Sequence, residues 1–159
     1  MSDVSKYLNV LIEGLQKKNS ILERIVACNE KQAEAVAADR GLEEFDRLVD
    51  EKAVLIDQIN QIDNGFQSVF DRVKQELNDH REAYKEQIHT LQDLIRQMTD
   101  LGVAVETGEA RNKQAVEQYF AYARKNYNST RKSAQAASDY YKSMSRMNYI
   151  DPQLMDNKQ

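Results

Sequence analysis

The sequence predicts an all-α protein: an antiparallel bundle of long amphipathic helices, coiled-coil-like, with a flexible C-terminal tail. Three observations carry this prediction. Apolar residues recur in alternating steps of three and four over most of the 159 residues, the spacing that keeps one helix face turned towards a partner. One proline and five glycines leave few places where a helix must break. Sustained apolar–polar alternation, the mark of a half-buried strand, is absent. The length fits one domain, and the expected boundaries are 1–146 for the helical domain and 147–159 for an extended or disordered tail.

The first helix is expected from about Val4 to Ala37, with its stripe at Val4, Leu8, Leu11, Leu15, Leu22, Ile25 and Val36. Lys18, Asn29 and Gln32 interrupt that stripe. Asp39-Arg40-Gly41 supplies a stop, because glycine accepts the left-handed backbone past a helix end. A second helix starts near Leu42 and reads Phe45, Leu48, Lys52, Leu55, Ile59 and Ile62. Lys52 stands where the period asks for an apolar residue. On periodicity alone it snorkels at the bundle edge, its stem packed and its ammonium in water.

Asp63-Asn64-Gly65 is a short turn signal, and the reading preferred here is a turn with antiparallel packing. A single bent helix is the rival, since the stripe resumes in phase at Phe66, Val69, Val73 and Leu77, then Tyr84, Ile88, Leu91, Ile95 and Met98. Thr107-Gly108 weakens helix propensity again, and a last helix is expected from about Glu109 to Met144. Its stripe of Ala115, Val116, Tyr119, Phe120, Ala123, Tyr127, Ala134, Ala137, Tyr140 and Tyr141 is thin. A helix with a thin apolar face gains little from packing, so this one is expected to be the least stable element. The only proline lies in the tail, among Tyr149, Ile150, Leu154 and Met155.

Composition excludes several function classes. No basic run and apolar core open the chain, and no apolar run reaches the length of a bilayer span, so neither a signal peptide nor membrane insertion is expected. The single Cys28 follows Ile25, Val26 and Ala27, which suits a buried thiol in a reducing, cytoplasmic setting. In that setting the sequon at Asn128 is a chance match. No glycine-rich phosphate loop is present. His80 and His89 are nine residues apart, on opposite sides of an ideal helix, and do not form a metal site. His80 falls in the stripe as a packed or edge residue, and His89 is expected in solvent. No constellation of residues points to catalysis, no cofactor is implied, and the chain reads as a non-enzyme.

Charge is divided unevenly. Residues 111–146 hold eight Lys/Arg against two Asp/Glu, and residues 147–159 carry a net −1, so with an overall charge of −4 the first 110 residues carry a net −9. The basic third also holds most of the tyrosines. Arg111, Lys113, Arg124, Lys125, Arg131 and Lys132, with Tyr122 and Tyr127, have the chemistry of a nucleic-acid surface. The acidic remainder would repel that polymer, so no nucleic acid is expected. The basic helix is expected to dock on the acidic part of its own chain or on an acidic protein.

The runs Asn29-Glu-Lys-Gln-Ala-Glu-Ala-Val, Asp39-Arg-Gly-Leu-Glu-Glu-Phe and Leu48-Val-Asp-Glu-Lys-Ala-Val-Leu-Ile-Asp-Gln-Ile resemble the FlgN family of flagellar export chaperones. In that family a long first helix carries Glu and Gln near its end, and a short acidic or glycine-containing turn follows. The second helix then carries Leu-x-x-x-Lys-x-x-Leu-Ile. The matching positions are Leu48, Lys52, Leu55 and Ile56. The resemblance is sharpest over residues 4–62. The C-terminal runs Tyr140-Tyr-Lys-Ser-Met and Asn148-Tyr-Ile-Asp-Pro-Gln-Leu-Met-Asp are similar to extended members in Gram-positive bacteria. The FliT flagellar chaperones are a neighbouring family of similar layout.

The resemblance implies a cytoplasmic chaperone that binds unassembled hook-associated proteins, the hook–filament junction proteins, and delivers them to the flagellar type III export apparatus. A FliT-type member would serve the filament cap instead. The last helix is the expected client surface, through Val116, Tyr119, Phe120, Ala123, Tyr127, Tyr140 and Tyr141. The alternatives are that this helix completes the bundle, and that the protein is a homo-oligomeric coiled-coil scaffold.

Overall fold

The computed structural model describes residues 3–38, 42–125, 139, 140 and 142. Among them the chain is helical and contains no strand. Helix α1 spans Asp3–Ala37, α2 spans Glu43–Asp79, a 3-10 turn spans Arg81–Tyr84, and α3 spans Lys85–Lys125. The expected first stop, Asp39 to Gly41, and the expected tail, 147–159, lie outside the described residues.

Each helix is about 50 to 60 Å long at about 1.5 Å per residue. Lys18 meets Asp63 and Asn29 meets Lys52, so α2 runs antiparallel to α1. Ser5 meets Gln87, Asn19 meets Leu94 and Asn29 meets Val105, so α3 runs parallel to α1 and antiparallel to α2. Helix α1 is the hub, packing along its length on both neighbours. One core cluster joins Leu22 and Ile25 of α1, Phe45, Leu48, Leu55, Ile56 and Ile59 of α2, and Val105, Val116 and Phe120 of α3. A smaller cluster at the other end is built on Leu8, Leu11, Leu15, Val73 and Leu91.

Two expected breaks do not occur. Helix α2 passes straight through Asp63-Asn64-Gly65. A glycine and an asparagine inside a helix cost about 1 and 0.7 kcal/mol. Continuing the helix buries Val73 and half-buries Phe66 and Val69, each worth about 1.5–3 kcal/mol when fully covered. Asp63 is also held in the α1–α2 seam by Lys18 at 2.8 Å. Burial outweighs propensity, and the helix continues in a single piece, as in the rival reading, up to Asp79.

The chain turns instead at His80, whose φ of −131° and ψ of 46° end α2. Here the apolar stripe lapses between Leu77 and Tyr84, and Asn78, Asp79 and His80 are poor helix formers. His80 is therefore exposed, beside Glu76, rather than packed in the stripe. The second correction concerns Thr107-Gly108, which does not begin a new helix. Gly102 and Gly108 are both buried inside α3. A Cβ at Gly108 would stand 2.9 Å from Asn29 Nδ2, so this glycine lets α3 approach α1 rather than ending a helix.

Candidate functional site

Lys52 does not snorkel. It is fully buried, and its ammonium donates to Glu109 Oε1 at 2.6 Å and to Asn29 Oδ1 at 2.8 Å. The edge position expected from periodicity is overturned by the two partners that α1 and α3 supply. Burying an ammonium costs several kcal/mol unless it is paired and hydrogen-bonded. Here a carboxylate with 1% exposure and an amide oxygen meet that need.

The pair belongs to a larger polar layer across all three helices. Asn29 Nδ2 donates to the Val105 carbonyl at 3.3 Å. Asn112 Nδ2 donates to the Asn29 carbonyl at 2.9 Å and to Gln32 Oε1 at 3.4 Å. Gln32 Nε2 donates to the Phe45 carbonyl at 3.1 Å. Helix carbonyls already accept one bond within their helix, and their second lone pair takes these side chains. The layer sits within an apolar core, with Leu48, Leu55 and Ile56 buried around Lys52. Sliding α3 by one turn along α1 would break the Lys52–Glu109 and Asn112–Asn29 bonds together, so the layer fixes register.

The Cys28 thiol is buried at the outer edge of the same level. Burial, followed by the neighbouring Glu51 carboxylate, pushes its pKa up. This suits an inert, protonated thiol rather than a nucleophile. His89 is exposed beside Asp93. Among the described residues no group of acids, histidines or cysteine is placed to hold a metal, and no helix is long and apolar enough to cross a membrane.

The residues expected to bind a client fall into three groups. Val116 and Phe120 lie in the main core, and Tyr140 is buried with its ring against Phe120. Tyr119 and Ala123 are half-buried, and Tyr119 packs edge-on against Phe120. Tyr127 and Tyr141 lie outside the described residues. Tyr122, which the helical stripe leaves out, is 70% exposed, more than any other large hydrophobic side chain among the described residues. The end of α3 therefore has an apolar face bound into the bundle and an aromatic rim open to solvent.

Glu109 and Asn112 are the residues that sequence reasoning missed. The signal was the opposite charge at Glu109, one helix on from Lys52, with Asn29 and Gln32 interrupting α1 one turn apart. Read together, these interruptions are a matched polar layer.

The family model described as FlgN protein matches residues 1–148. The chain belongs to the FlgN family. It is thus a flagellar export chaperone. No curated protein and no solved structure matches the chain. The motif positions Leu48, Lys52, Leu55 and Ile56 are all buried, with Lys52 in the polar layer.

Proposed function

We propose that this FlgN-family chaperone works in the cytoplasm, binds unassembled hook-associated proteins of the hook–filament junction, and delivers them to the flagellar type III export apparatus. The family match over residues 1–148 carries this reading. An axial protein awaiting assembly has an amphipathic segment with nothing to pack on. Such a segment folds as a helix when a matching apolar surface covers it.

The client surface in this proposal is the end of the chain: Val116, Tyr119, Phe120 and Ala123 on α3, with Tyr127, Tyr140 and Tyr141 beyond. The contact of Tyr140 with Phe120 supports it. In this proposal a client helix takes the place of the Tyr140 ring on Phe120, at the α3 end of the main core cluster. The open rim at Tyr122 gives an arriving segment a first point of contact.

Co-expression with a junction protein and purification through a tag on the chaperone tests the proposal. A stoichiometric complex in which the client resists protease supports it. Capture of the filament cap protein in place of the junction protein replaces the client assignment. Recovery of the chaperone only as its own oligomer refutes it and favours a scaffold.

A further inference from the structure

The side of α1 and α2 away from α3 carries a continuous groove. Its three sections share residues: Glu13, Lys17 and Ile62 link the first to the second, and Gln58 links the second to the third. All lining residues come from α1 and α2. From Val10 to Lys31 it runs about 30 Å, the length of a helix of about 20 residues. One end is a hollow between Gly14 and Gly65, where a Cβ on Gly65 would meet nothing within 4 Å. Val10 and Val54, both more than half exposed, stand at opposite ends of the groove.

The groove has one charged wall. Lys17, Arg24 and Lys31 line it at intervals of seven along α1, all exposed. Among the described residues none of the three forms an ion pair. The facing wall on α2 is neutral over Val54, Gln58 and Gln61, and its one acid, Glu51, is paired with Arg47. Glu13 is the one acid that lines the groove from α1. These three unpaired cations, seven residues apart, lie within the 110 residues that carry a net −9.

From this geometry we infer that the α1–α2 groove is a second docking surface, separate from the end of α3, and that it takes an amphipathic helix of a protein partner. That helix lays apolar side chains into the groove and carries acidic residues seven apart along one edge, facing Lys17, Arg24 and Lys31. Charge and length favour this occupant: a helix of about 20 residues with acids at three successive heptads is longer than residues 147–159, which hold two acids. The chain's own basic stretch, residues 111–146, would meet the cationic row with like charge.

The test uses two labelled 21-residue helical peptides with leucine at the two core positions of each heptad. One carries glutamate at a flanking position of every heptad, and the other carries lysine there. Fluorescence anisotropy with the full chain at low salt is expected to show the glutamate peptide binding at least about tenfold more tightly, with the preference shrinking as salt rises. This preference runs against the net charge of the protein, so bulk attraction does not produce it. The triple change K17E/R24E/K31E is expected to reverse the preference. Gly65→Leu, which fills the hollow in open space, is expected to weaken the glutamate peptide about tenfold or more while keeping the helical signal and without lowering the melting temperature.

Equal binding of the two peptides, or none at 100-fold the concentration of the labelled probe, overturns the inference. So does an unchanged preference in the triple variant. A dimer in sedimentation that the triple variant dissociates assigns the groove to a second copy and overturns the choice of partner.

Discussion

Replacing Lys52 with methionine keeps most of the side-chain volume and removes the ammonium from a fully buried site. The Glu109 carboxylate then loses the cation held at 2.6 Å, and Asn29 Oδ1 loses a donor at 2.8 Å. Removing one partner of a buried ion pair costs about 3–5 kcal/mol. For a chain of this length that corresponds to a fall in Tm of about 6–20 °C, at about 2–4 °C per kcal/mol. The double variant Lys52→Met/Glu109→Leu also removes the stranded carboxylate. Both variants lose the donor to Asn29, so the difference between them reports the exchange of the stranded carboxylate for an apolar side chain. The double variant is expected to be more stable than the single by at least about 1 kcal/mol. Urea unfolding followed by circular dichroism measures both. A single variant within about 1 kcal/mol of the parent, or a double variant less stable than the single, refutes the description of Lys52 as a buried, paired cation.

Other expectations follow from the same geometry. Gly108→Ala gains helix propensity but drives a Cβ to 2.9 Å from Asn29, so it is expected to destabilise by about 1–3 kcal/mol. Gly65→Ala meets open space within α2 and is expected to stabilise by about 0.5–1 kcal/mol, which a turn at that position would not allow; the same urea assay compares them. Cys28 is expected to react with iodoacetamide at neutral pH more slowly in the folded protein than in the urea-unfolded one, because burial and Glu51 raise its pKa. The sign for stability follows: as pH rises through the unfolded thiol's ordinary value of 9.0, the unfolded chain ionises first and stability falls. A Cys28→Ala variant should lack that alkaline component. Tyr122→Ala, at a side chain 70% exposed, is expected to leave the urea midpoint unchanged while weakening client capture, if the rim of α3 receives the client.

Helix content, the antiparallel packing of α1 against α2, and most of the core were legible in the sequence, because the three-four stripe states which face is buried. The span of α1 and the start of α2 were legible too. The breaks were misread for one physical reason: glycine and asparagine were weighed as local signals, whereas burial along the stripe decides continuity. Gly65 sits on an exposed face where its cost is small, and Gly108 faces α1 where a side chain has no room. The true turn at His80 is marked by a lapse in the stripe rather than by glycine.

The polar layer was hidden because each member looked like a defect on its own helix. Lys52 becomes intelligible only when α3, 57 residues further on, brings Glu109 to it. The family resemblance singled out Lys52 without its partner. At the end of α3 the sequence found the aromatic stripe, but periodicity alone did not tell which of its rings the bundle keeps.

Direct binding in solution tests the proposed junction-protein client most closely. Purified chaperone and unassembled hook-associated junction protein would be mixed at micromolar concentration and followed by sedimentation velocity, with the filament cap protein as the comparison. A discrete complex with the junction protein, not formed with the cap protein, is the result expected. Independent sedimentation of chaperone and junction protein across that range would contradict the account.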